Sequence, residues 1–142
     1  MNFSRGIGAK NYLRFIGLLL GLGVMVWLPI EESNLAWVLL FSGAICSWFA
    51  ALLLGKLISR GIGSVIWYMV VGAGAGLLLA PMAILLMALK SGIHGHGVPD
   101  YSAIQMVSVM SRMPYFLLSG ILIGSGFGLW RIATNQQPAS QG

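Results

Sequence analysis

The residues with the most varied chemistry lie close together, between Lys90 and Arg112. This stretch holds both histidines of the chain, His94 and His96, its only aspartate, Asp100, and two of its eight basic residues. His94 and His96 alternate with glycines. In an extended segment residues i and i+2 point the same way, so both imidazoles can face one ion. Asp100 can add an oxygen ligand or fix a histidine tautomer from behind. Imidazole suits zinc and copper, so these are the ions such a trio would take. Three ligands in one glycine-rich loop fall short of a closed structural site, and no His-Glu-x-x-His or cysteine cluster supplements them. The plainer alternative is a polar loop whose imidazoles meet lipid headgroups or a partner and titrate near pH 6–7.

Little else in the chain offers chemistry. Cys46, the single cysteine, lies inside an apolar run. One cysteine excludes an internal disulfide and any Cys-x-x-Cys site, and it reads as a small buried hydrophobe. No nucleophile–base pair is visible, so the chain is not expected to be an enzyme.

The elements that position the loop are apolar. Of 142 residues, 58% are hydrophobic and 8% charged, with a mean hydropathy of +0.89. A soluble domain carries about 25% charged residues, and so few charges suit a surface that meets lipid. The length fits one domain, placed at residues 1–132. The net charge of +5 does not imply nucleic acid, because the basic residues stand singly at the ends of apolar runs. That arrangement sets membrane orientation.

Four spans are expected, at about 13–30, 35–55, 65–89 and 114–131. The first follows a basic start, but nothing around Trp27–Glu32 resembles a small-x-small cleavage site, so it reads as a retained helix. Pro81 should kink the third. Gly92, Gly95, Gly97 and Pro99 should break any helix after it, which leaves 90–113 as an outer loop. Within that loop, Ser102 and Gln105 fit a capping box. Met106, Val109, Met110 and Met113 then share one helical face. The spacing predicts a short helix lying along the outer membrane surface, its methionine face on the acyl boundary and Arg112 among the headgroups. Pro114 should keep that helix from continuing straight into the fourth span. The polar residues 133–142 read as a disordered tail. The expected fold is an all-α integral membrane protein: a four-transmembrane-helix bundle with a short interfacial helix between its third and fourth spans.

Four spans would put Arg5, Lys10, Arg14, Lys56, Arg60 and Arg131 on one side and only Lys90 and Arg112 on the other. The positive-inside rule then places both termini in the cytoplasm and the protein in a plasma (cytoplasmic, inner) membrane. Tyr12, Phe15, Trp67, Tyr68 and Trp130 would mark the inner boundary, and Trp27, Trp37 and Tyr115 the outer. Trp48 fits neither belt and should pack between helices.

Two patterns concern the helices themselves. Ser4-Arg5-Gly6-Ile7-Gly8 recurs as Ser59-Arg60-Gly61-Ile62-Gly63, and the same offset aligns Gly17 with Gly72 and Gly21 with Gly76. A duplicated helical hairpin would produce this echo. Small residues also recur at every fourth position: Gly17 and Gly21, Gly43, Ser47 and Ala51, Gly72 and Gly76, and Gly120, Gly124 and Gly128. In lipid, close approach over small residues supplies the packing that apolar contact alone cannot. Such rows either pack the bundle or dock another subunit, with the Gly120 row the candidate for docking.

The expected spans hold no Asp, Glu, Lys, Arg or His, which argues against a proton relay and disfavours haem ligation. In span number the chain resembles small multidrug transporters and quinone-linked thiol oxidoreductases. It lacks the intramembrane glutamate of the first and the Cys-x-x-Cys of the second, so neither activity carries over. The expectation is a non-enzymatic accessory or assembly subunit of a larger membrane complex. Its partners would be the lipid bilayer and other membrane subunits or further copies of itself, with no cofactor. The alternative is a protein that handles a metal ion or small solute through His94 and His96.

Overall fold

A computed structural model describes residues 5–30, 34–61, 64–94 and 100–135. They form five helices: α1 (Arg5–Trp27), α2 (Leu35–Ser59), α3 (Val65–His94), α4 (Ala103–Ser111) and α5 (Met113–Asn135). Three of them are long and apolar enough to cross a membrane, over Leu35–Ser59, Val65–Ile93 and Met113–Thr134; the apolar part of α1, Asn11–Trp27, is shorter. The protein is an all-helical chain of membrane type.

The helix ends follow local chemistry. α1 stops at Trp27, earlier than expected, because Pro29 disfavours helical geometry at Leu28. α2 is capped by Asn34, whose Oδ1 accepts from Ala36 N–H at 2.9 Å. It runs past the expected 55 to Ser59 and ends where Gly61 takes a φ of 76°, the left-handed geometry that glycine supplies at a helix terminus.

α3 corrects one expectation. With Pro81 inside it, the helix runs to His94 rather than stopping at 89. Lys90, Ser91 and Gly92 are therefore helical and not part of a loop. α5 likewise extends through Ala133 to Asn135, so the start of the expected tail is helix; residues 136–142 lie outside the described residues.

The packing is centred on α3. α5 lies along one flank of it and α2 along the other, and α1 packs on α2. α2 and α5 do not come together, and neither do α1 and α5. The long helices thus form a row, α1–α2–α3–α5, in place of the expected four-helix bundle.

The α3–α5 seam is antiparallel, with backbone close to backbone. A Cβ on Gly72 would run into the Gly120 carbonyl oxygen, one on Gly76 into that of Phe116, and one on Gly124 into that of Tyr68. In each pair the residue numbers add to 192, so the register holds over the whole contact. α5 begins near the level of Leu79 and leaves the last turns of α3 to something else. That cover is α4. Tyr101 and Val109, each 1% exposed, join Ala80, Ala83, Leu86 and Met87 of α3 in one core with Trp27, Leu28 and Val38.

Candidate functional site

The C-terminal end of α3 gathers most of the buried polar chemistry. Lys90 is fully buried. Its Nζ sits 4.1 Å from the centroid of the Trp27 ring, which brings the end of α1 onto α3. The negative face of an indole offsets part of the cost of burying a cation. Trp27 in turn lies 5.2 Å from Phe41 of α2, and Phe41 lies 6.3 Å from Trp37. One lysine therefore draws three helices to one point, with Tyr101 buried in the same core. In the sequence Lys90 reads only as one of the single basic residues at the ends of apolar runs. The signal that could have found it is an isolated lysine one span-length from a tryptophan at the matching end of another helix.

Segment 100–113 is built by its cap. Gln105 N–H donates to Ser102 Oγ at 3.3 Å, and Ser102 N–H donates to Gln105 Oε1 at 2.8 Å, so the expected capping box is formed. α4 ends at Arg112 and α5 starts at Met113, with Pro114 in the first turn, where its missing N–H costs nothing. The direction of the methionine face differs from expectation. Val109 is in the core, and Met106 and Met113 pack against it; only Met110 of that set is exposed, at 45%. The face turned outward carries Ile104 and Val107 with Met110. The reason is that α5 falls short of the last turns of α3. That apolar surface needs cover, and the nearest apolar stripe is that of α4. Arg112 is exposed.

The proposed metal trio is not assembled by what is described. His94 is the last residue of α3, in helical and not extended geometry. His96 lies outside the described residues. Asp100 is half-buried, next to Tyr101. Among the described residues no three of His, Cys, Asp and Glu gather around one point.

At the N-terminal end of α3 a second cation–aromatic pair closes the seam. Arg131 Nη1 donates to the hydroxyl of Tyr68, and its Cζ lies 5.8 Å from the Tyr68 ring. Tyr68 and Trp27, both expected in interfacial belts, are buried against the protein, at 6% and 5% exposed. Of the glycine rows, Gly120 and Gly124 face α3, with Gly128 beside Val65. The Gly120 row is therefore not a free outward face. On α1, Gly17 lies under the Trp48 indole, whose Nε1–H donates to the Leu13 carbonyl at 2.8 Å. Gly21 meets nothing within 4 Å.

Between α2 and α5, over α3, runs a groove of about 410 Å³ with an almost wholly apolar lining that includes Gly43, Ser47, Ala51, Gly72, Gly76 and Phe116. Compared with known proteins, the chain matches no family model, no curated protein and no solved structure.

Proposed function

We propose that the chain is a multi-pass protein of the plasma membrane with four spans. In this reading α1 crosses as well as α2, α3 and α5, both termini are cytoplasmic, and α4 straddles the outer boundary. It acts without catalysis, as an accessory or assembly subunit of a larger membrane complex. One observation carries the reading: the free face of α1. Leu18, Leu22 and Met25 are 60%, 52% and 72% exposed on one face, and Gly21 makes a notch among them with nothing opposite it. A notch flanked by large apolar side chains suits a helix of another subunit, because close backbone approach is what drives helix association in lipid. The exposed Ile104, Val107 and Met110 of α4 support its place at the acyl boundary.

Blue-native electrophoresis of gently solubilised membranes tests the proposal. The chain should migrate with larger partners, and Gly21→Leu, which fills the notch, should release it. Migration of the wild-type chain only as a monomer contradicts the reading.

A further inference from the structure

The groove between α2 and α5 has dimensions that select an occupant. Along α3 it extends from Tyr68 to Leu79, which is about 17 Å at about 1.5 Å per residue. One leaflet of a bilayer has about 15 Å of hydrocarbon, half of the usual core thickness. The groove is open along one side, and its volume of about 410 Å³ over that length makes a shallow channel in which one extended hydrocarbon chain can lie.

The end of the groove is charged. Tyr68 and Phe127 both line its inner end, and Arg131 follows Phe127 by one turn, about 6 Å farther along α5. That is headgroup depth for a chain seated in the groove. The guanidinium has five N–H donors; the Tyr68 hydroxyl takes one and holds the group at the mouth. The only described acid, Asp100, follows the other end of α3. Glu31 and Glu32, the chain's other two acids, fall in sequence between α1 and α2. Basic pockets between spans on the cytoplasmic side are where anionic lipid headgroups bind.

We propose that this groove is a binding site for one anionic phospholipid of the leaflet on the Arg131 side, with an acyl chain between α2 and α5 and its phosphate on Arg131. The proposal rests on the chain spanning a membrane and not on any partner complex. The small side chains of Ser47 and Ala51 leave room for the acyl chain, and Arg131 selects the headgroup.

The test uses the full chain in nanodiscs of equal parts phosphatidylglycerol and phosphatidylcholine, transferred to mild detergent and weighed by native mass spectrometry. The wild-type protein should keep one lipid, enriched about severalfold for phosphatidylglycerol: both lipids carry the phosphate, but the choline cation of phosphatidylcholine opposes the guanidinium. Arg131→Gln should keep one lipid and lose the enrichment. Ala51→Leu and Ser47→Leu, each narrowing the groove, should lose retention of both lipids while their circular dichroism stays helical. Equal retention in all four proteins, lipids bound in the proportion of the bilayer, or a second copy of the chain bound in place of lipid would each overturn the proposal.

Discussion

Two helix pairs in this protein begin from the same glycine spacing and pack in different ways. α1 carries Gly17 and Gly21; α3 carries Gly72 and Gly76 at the matching positions of the sequence echo. On α3 both glycines meet the backbone of α5. On α1 one meets the ring of Trp48 and the other meets nothing. The difference lies in the facing helix. α5 offers Gly120 and Gly124, so two backbones can touch; α2 offers Trp48, which stands between the helices and bonds to Leu13. A glycine row specifies close approach only where the partner is also small. The echo therefore repeats a spacing and not a packing, and the looser pair is the one that leaves a face open.

The comparison can be broken most sharply at the aligned glycines. Gly72→Ala places a methyl group against a carbonyl of the α5 backbone, which cannot rotate away, and should cost roughly 2–3 kcal/mol. Gly21→Ala meets open space and should leave stability unchanged, or raise it by up to about 1 kcal/mol through helix propensity. Thermal unfolding in detergent measures both, and equal effects would erase the distinction between the pairs. Next in size is the outer anchor of α1. Trp27→Leu removes the ring under Lys90, and a double-mutant cycle with Lys90→Met should return a coupling of about 2 kcal/mol for a desolvated cation–π pair. A coupling near zero would mean that Lys90 does not hold α1. The smallest effect is at Trp48. Trp48→Phe keeps a ring between α1 and α2 and loses the bond to Leu13, at a cost of about 1 kcal/mol in the same melt.

The presence of the long apolar helices α2, α3 and α5 was legible because lipid demands long uncharged runs, although their ends run on past the flanking charges. The capping box at Ser102 was legible because its chemistry is local. What could not be read was set by partners distant in sequence. Gly92 reads as a breaker, yet a glycine inside a helix costs only about 1 kcal/mol, and the burial of Lys90 against Trp27 lies within the same turns. Met106, Val109 and Met113 form an apolar stripe that suits either lipid or protein. Only the register of α5 on α3 shows that α3 has uncovered turns for the stripe to fill. The same holds for Tyr68 and Arg131, which read as a belt residue and a flanking charge and prove to be bonded to each other. The groove was not legible at all, since it exists because α2 and α5 fail to meet.

The proposed function requires four membrane crossings, with the segment between α3 and α4 outside. Single-cysteine labelling tests this directly, in a Cys46→Ser background made possible by the one native cysteine. Asn2→Cys, Gly97→Cys and Gln141→Cys variants would be treated with a membrane-impermeant maleimide in intact cells. Gly97→Cys should label at once, and the other two only after permeabilisation. Labelling of Asn2→Cys in intact cells would show that α1 does not cross, and protection of Gly97→Cys would contradict the topology as a whole.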